Sequence, residues 1–402
     1  MSRKTFAYIT AMLIDLSNGS FYLGLVFHLK SLGASKFEIG LIGSSCPFSY
    51  AICCIILARY FPNRSHINSM RLGLGVFLIC LPLLFFIPGI WWAVPFCFFF
   101  HLANALYFPA LQIWMTEGFG RKALQKVMGT YGIAWTSGFV FGPLLGSHAG
   151  LFWEKNGLGP EFQGPYLISL VIVIAVFLTI WRTYKHNIPN ESSIKIPVDF
   201  SKYKTEEFKN YMMLGWMTNT LGNFCSGLVR FLIPLLLVFG NQKELILISM
   251  EHSGYLVSAL AVSLVITVFC MRNMSSWILN FKFIIIMELL VIPSCFIFLF
   301  SHHYLLYFLP IFIFGMINSF GFYTGAVYSL QLGEKGLKYI TINEFVVGLG
   351  AFLGALTGGL IAHNWGSEWA FASPILMVVL MIILQLRLKS KINKALRKAE
   401  SS

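Results

Sequence analysis

A small set of polar side chains stands inside runs that are otherwise apolar, and their spacing decides what chemistry they can do. Asp15 and Asn18 lie three residues apart with Tyr22 a turn further on, so on a helix they share one face. His101, Asn104 and Gln112 fall at i, i+3 and i+11, and Asn219, Asn223 and Arg230 at i, i+4 and i+11. Eleven residues is close to three whole helical turns, so each trio makes one stripe. Asn318 stands in a further apolar run. Amides, an imidazole and a guanidinium arranged this way can hydrogen-bond a small solute, and a lone carboxylate among them can load and release a proton. Soluble-type active-site patterns are missing. There is no glycine-rich loop followed by Lys-Ser or Lys-Thr to cradle a nucleotide, and no His-Glu-x-x-His zinc pattern, so no cofactor or metal is expected. The eight cysteines all fall within apolar runs without paired ligand spacing and read as small packing residues.

The elements that must carry these side chains are membrane helices. Of 402 residues 57% are hydrophobic and only 11% charged, with a mean hydropathy of +0.74, which makes the bilayer the solvent. Apolar spans run over 5–28, 37–60, 70–90, 92–115, 127–150, 163–183, 209–238, 250–270, 278–300, 303–328, 337–362 and 367–387. Each is long enough to cross, giving about twelve helices. The net charge of +13 does not form a nucleic-acid-binding face, because it alternates between loops. With the N-terminus inside, 24 of the 29 Lys and Arg fall on that side and four on the other, leaving Arg230 within a span. The positive-inside rule therefore puts both termini in the cytoplasm, and the expected location is a bacterial inner (cell) membrane. The N-terminal Met-Ser-Arg-Lys imitates a signal peptide, but Asp15 interrupts the apolar run and no cleavage site follows, so it reads as a retained span. The basic tail from Leu386 to Lys398 suits an anionic leaflet.

Glycines four apart add a second pattern. Gly138, Gly142 and Gly146, with Pro143 beside them, put bare backbone on one helical face, where another helix can approach closely. About 213 residues on, Gly350, Gly354 and Gly358 repeat the ladder, Asn318 echoes Asn104 and Lys335 echoes Arg121. The chain thus divides into related halves, 1–183 and 209–402, joined by a charged, proline-containing cytoplasmic linker over 184–208 that ends in a short surface helix.

Gly138-x-x-x-Gly142-Pro143-x-x-Gly146 resembles the fifth-helix motif of major facilitator superfamily transporters, best known in their proton-coupled efflux branch. Tyr107-Phe108-Pro109-Ala110-Leu111 and Gly120-Arg121-Lys122 are similar to that superfamily's fourth helix and following loop. Ser147 stands where the pattern has a final glycine, and Asn63-Arg64 retains only part of the signature loop after the second helix. The resemblance implies an all-α integral membrane protein of two pseudo-symmetric six-helix bundles. It also implies that spans 1, 4, 7 and 10 line a central cavity while spans 3, 6, 9 and 12 stay outside. The polar side chains already concentrate on the first four. A charged group at mid-bilayer costs about 2.5–3.5 kcal/mol on insertion scales, so aligned polar stripes call for water or solute between the helices.

The expected function is a secondary active transporter, a monomer, moving a small organic solute by alternating access. The resemblance favours proton coupling and export. Substrate contacts fall to Asn18, His101, Asn104, Gln112, Asn219, Asn223, Arg230 and Asn318, and proton coupling to Asp15, as the only carboxylate near the middle of a predicted cavity span; Glu117 and Glu344 lie near inner ends. Each amide taken alone fits a hydrogen bond between helices as well as a solute contact. Gly138, Gly142, Pro143, Gly146, Gly350, Gly354 and Gly358 are expected to form the moving surfaces between the halves. Glu288 either pairs inward with span 8 or sits protonated in an unusual position. A lipid flippase, or a membrane-embedded enzyme acting on lipid-linked substrates, is the alternative.

Overall fold

The computed structural model describes residues 2–60, 65–116, 121–183, 205–239, 250–301, 303–332 and 336–400. Its elements are α1 (Arg3–Ser31), α2 (Lys36–Tyr60), α3 (His66–Leu84), α4 (Ala93–Thr116), α5 (Arg121–Lys155), α6 (Gln163–Thr183), α7 (Thr205–Phe239), α8 (Met250–Asn273), α9 (Phe281–Leu289), α10 (Val291–Phe300), α11 (Phe308–Leu330), α12 (Gly336–Asn364), α13 (Ser367–Ala370) and α14 (Ser373–Glu400). Among the described residues there is no strand. Most of the predicted linker, 184–204, lies outside the described residues, as do 61–64 of the loop after the second span, Glu117, His302 and Lys335. The predicted surface helix at the end of the linker is instead the first turn of α7, which runs unbroken from Thr205.

Helix starts follow local chemistry. Ser2 caps α1 by accepting from the Thr5 N–H at 3.2 Å. Ser35 and Glu38 form a reciprocal capping box at the start of α2, with bonds of 3.2 and 2.8 Å. Between α1 and α2 the chain turns at Gly33, whose φ of +82° a side chain would strain. The ninth crossing is built from α9 and α10 stacked end to end. Pro293 cannot donate to the Leu289 carbonyl, and the helix breaks at Leu290.

Ten of the crossings are long and apolar enough to be picked out by hydropathy among the described residues. The two that are not are α5 and α7, the longest helices at 35 residues each. Glycines and polar side chains on the faces they turn to other helices dilute their hydropathy: α5 packs between α1 and α8, and α7 between α11 and α12. The lipid-facing helices are the converse. Leu72 and Ile79 on α3, Val171 and Leu178 on α6, Phe296 and Phe300 on α10, and Leu376 and Val379 on α14 are all exposed.

The side on which the chain starts at Arg3 is called the near side, and the side where α1 ends the far side. Within the first half α1 packs on α5 and α6, and α3 on α4 and α6; within the second, α7 packs on α11 and α12, and α8 on α11. The halves meet along α2 with α12 and α5 with α8, while α1 crosses to α7 through Tyr22 and Phe231, edge to face at 5.7 Å.

The glycine ladders do not lie where expected. A Cβ added at Gly138 would run into the Met12 carbonyl, at Gly142 it would come 2.5 Å from Leu16 O, and at Gly146 3.1 Å from Ser20 Cα. All three neighbours are on α1, in the same half. Gly350 likewise faces Thr220 O at 2.5 Å, Gly354 the Phe224 carbonyl, and Gly358 Leu228 and Leu232, all on α7. The ladders therefore bind each half together internally; Ser20 Oγ adds a 2.8 Å bond to Gly142 O across α1 and α5. Other glycines mediate contact between the halves: Gly40 faces Gly359, an added Cβ at Gly348 would come 2.6 Å from Pro47 O, and one at Gly254 3.0 Å from Pro143 O. Pro143 alone of the predicted interface residues faces both ways, because its ring meets Gly19 and its carbonyl meets α8.

Candidate functional site

The cavity at the centre of the bundle has a volume of about 130 Å³ and is walled by both halves. Its polar side chains stack in three layers along the membrane normal, because α1, α4 and α7 each present one stripe to it.

The middle layer holds Asp15, Asn18 and Asn104. Asn18 Nδ2 donates to Asp15 Oδ1 and to Asn104 Oδ1, both at 3.0 Å, while Asn104 Nδ2 returns to the Phe100 carbonyl at 3.2 Å. All these groups belong to the first half. Asn18 Oδ1 has no hydrogen-bond partner.

The far layer holds Tyr22, His101 and Arg230. His101 Nδ1 lies 3.0 Å from the Cys97 carbonyl, which fixes the proton on that nitrogen; Nε2 is then the acceptor for the Tyr22 hydroxyl at 2.6 Å. The imidazole is thus an oriented group, held at both ring nitrogens. Arg230 arrives from the second half with its guanidinium carbon 4.2 Å from the centroid of the Phe139 ring, within cation–π range, and its Nε has no partner. Pro143 lies four residues after Phe139 and cannot donate to its carbonyl.

The near layer is centred on Glu344 of α12. Tyr50 on α2 donates to its Oε2 at 2.9 Å and Gln112 on α4 to its Oε1 at 3.0 Å, while Gln112 also reaches the Tyr131 hydroxyl of α5 at 3.3 Å. Gln112 Oε1 and Trp135 Nε1 are without partners. Trp135, Phe139, Phe108 and Phe322 supply apolar wall between the layers.

Seven of the eight predicted solute contacts line this cavity: Asn18, His101, Asn104, Gln112, Asn223, Arg230 and Asn318, together with Asp15. Asn219 does not. It is fully buried behind the wall, donating to Asn343 Oδ1 at 3.0 Å and accepting from Asn223 at 2.7 Å, so it ties α7 to α12. Asp15 is also not the only cavity carboxylate, since Glu344 lines the same space. The sequence put Glu344 near the inner end of the span at 337–362, and α12 starts within one residue of that span; what brings Glu344 onto the wall is the cavity reaching down to its level. Tyr50 and Tyr131 were missed as well, since a tyrosine in an apolar span carries no distinctive signal.

Glu288 pairs neither with α8 nor with the cavity. It is fully buried in the second half, where Thr218 of α7 donates to it at 2.7 Å and Gln385 of α14 at 2.6 Å. The eight cysteines are free thiols within helices, all buried except Cys270.

The sequence matches the family model of the Major Facilitator Superfamily over residues 7–337. No curated protein matches it in sequence. Among solved structures, it is similar to a bacterial homologue of the human lysosomal transporter Spinster in an inward-facing, unoccupied conformation (15% identity, 98% of each chain, TM-score 0.67). The human organic anion transporter MFSD10 is similar at 12% identity over 95% of this chain and 98% of its own, with a TM-score of 0.68. The E. coli fucose:proton symporter FucP is similar at 15% identity over 96% and 99%, with a TM-score of 0.62.

Proposed function

The chain belongs to the Major Facilitator Superfamily and so to the secondary transporters that work by alternating access, and we propose that its cargo is a small organic solute bound in the central cavity and coupled to protons. The observation that carries this reading is the cavity wall: Asp15, Glu344 and Arg230 all face one space built by both halves. Ionisable groups in spans are costly unless they face such a space, so their convergence there supports a solute and proton site. The wall narrows the cargo. Asn18, Asn104, Gln112, Asn223 and Asn318 bring amides to it, Arg230 a cation, and Phe108, Trp135, Phe139 and Phe322 aromatic surface. A compact solute with both donors and acceptors on a partly apolar body fits that set.

In this account residues 1–183 and 209–402 are the two rocking halves and 184–208 joins them. Both termini are cytoplasmic in a bacterial inner membrane, the near side is the cytoplasm, and the protein acts as a monomer. Asp15 carries the coupled proton. Export, with protons moving inward, is the direction favoured by the glycine motif of α5. The test is uptake and efflux across a solute panel in purified vesicles, with and without an imposed proton gradient. The expected result is accumulation of at least one solute that collapses with the gradient and is lost in Asp15→Asn. Accumulation by Asp15→Asn with unchanged pH dependence would move coupling elsewhere, and gradient-independent equilibration would make the protein a facilitator.

A further inference from the structure

Two buried carboxylates share the cavity, but only one is bonded across it. The partners of Asp15 are Asn18 on its own helix and, through Asn18, Asn104 in its own half. Those of Glu344 are Tyr50 and Gln112, on α2 and α4 of the opposite half. One turn along, a Cβ added at Gly348 would come 2.6 Å from Pro47 O, so the bare glycine lets the helix faces meet where the bonds form. Pro47 and Pro109 interrupt α2 and α4 close by. The arrangement is a clasp that pins α12 to the first half on the near side of the Asp15 layer.

We propose that Glu344 is the proton-operated latch between the halves: ionised, it holds α12 to α2 and α4, and on taking up a proton it releases them so that the near side opens. The inference rests on the alternating-access reading above and adds a residue and a direction to it. The chemistry is a change in the acceptor. An ionised carboxylate takes both Tyr50 O–H and Gln112 N–H as charge-assisted bonds, roughly twice as strong as neutral ones. With a proton on Oε2, that oxygen becomes a donor facing the Tyr50 hydroxyl, which must turn its own proton away, and the bond from Gln112 loses its charge. Both bonds cross the half-to-half boundary, so their weakening falls directly on the contact that must part. The hydrogen bonds around Asp15 close within the first half, so the same event there breaks none across the boundary. The other titratable or charged groups on the wall are Asp15 and Tyr22 of α1, Tyr50 of α2, His101 of α4, Tyr131 of α5 and Arg230 of α7; α11 adds only Asn318 and Phe322. Of these, Asp15 and Arg230 both lie in the layers beyond Gln112.

The test reads the near-side gap directly and needs no solute. Spin labels are placed at Tyr60→Cys, the exposed end of α2, and Met274→Cys, exposed just past α8 in the other half, in a Cys270→Ser background that removes the one exposed native thiol. Distances are measured in vesicles between pH 8.5 and 5.5. The expected result is a longer-distance population that grows on acidification with a single midpoint. Glu344→Gln is expected to hold that population at every pH. Asp15→Asn is expected to keep the response. Tyr50→Phe, which removes a donor to the ionised form, is expected to move the midpoint to higher pH. A pH-invariant distance in the parent, or a normal response in Glu344→Gln with its loss in Asp15→Asn, would overturn the latch. Solute transport indifferent to a proton gradient, with the distance response intact, would overturn the proton-coupling proposal and leave the latch standing.

Discussion

The layer around Asp15 and the layer around Glu344 are made of similar side chains and differ in what they join. Around Asp15 an amide chain closes within the first half, so those residues arrive in the cavity as one preassembled wall. Around Glu344 a carboxylate of the second half is held by a phenol and an amide of the first, so that layer exists only while the halves are together. The glycines divide the same way. The two ladders weld α5 to α1 and α12 to α7, whereas Gly40, Gly348 and Gly254 touch across the halves. A transporter that rocks needs rigid units and a partible boundary, and the two classes of contact supply one each.

The ladder residues give the largest expected effect. Gly142→Leu or Gly354→Leu would push a side chain into the backbone of α1 or α7, costing about 3 kcal/mol as an overpacked core. We expect a large loss of folded protein and of Tm in detergent. Gly359→Leu, which meets Gly40 across the halves, should instead leave each half folded and reduce transport. Equal Tm losses in all three would erase the distinction.

The carboxylates come next. Glu344→Ala strands the buried Tyr50 hydroxyl and the side-chain N–H of Gln112, for a cost of about 1–3 kcal/mol. Asp15→Ala should cost less, because Asn18 Nδ2 keeps its bond to Asn104. Thermal unfolding of the two variants at neutral pH ranks them, and the reverse order would contradict the picture of a latch.

A smaller but sharper contrast separates neighbours on α7. Asn223→Cys should react with a water-soluble thiol reagent and Asn219→Cys should not, since the first lines the cavity and the second lies behind it. The smallest effect is expected at Tyr22→Phe. It removes the donor to His101 Nε2 at a cost of about 1 kcal/mol and leaves the His101 to Cys97 bond in place.

Much of this was legible in the chain itself. The stripes at i, i+3 and i+11 on α4 and i, i+4 and i+11 on α7 placed most of the cavity wall, since helical periodicity and the cost of burying polar groups in lipid both constrain it. The α5 motif led to the family. What periodicity could not supply was the partner of each face. Four-residue spacing says that Gly142 meets another helix, but only the packing says that the helix is α1 and not one across the boundary. Asn219 failed for the same reason: it shares a helix with Asn223, yet the turn between them rotates it from the cavity to α12. Glu344 failed through its apparent place at a span end, and Glu288 because the two residues that bond its Oε1, Thr218 and Gln385, are distant in sequence.

The claim on which the rest depends is that one central cavity is reached from each side of the membrane in turn. It is tested most directly by labelling Asn104→Cys and Asn223→Cys, in the Cys270→Ser background, with a membrane-impermeant thiol reagent added to one face of sealed vesicles and then to the other. The account predicts that both positions react from either face, and that cross-linking α2 to α12 through Gly40→Cys and Gly359→Cys confines reaction to the near face. Reaction of either position only with a lipid-soluble reagent, or from both faces at once with the cross-link in place, would contradict it.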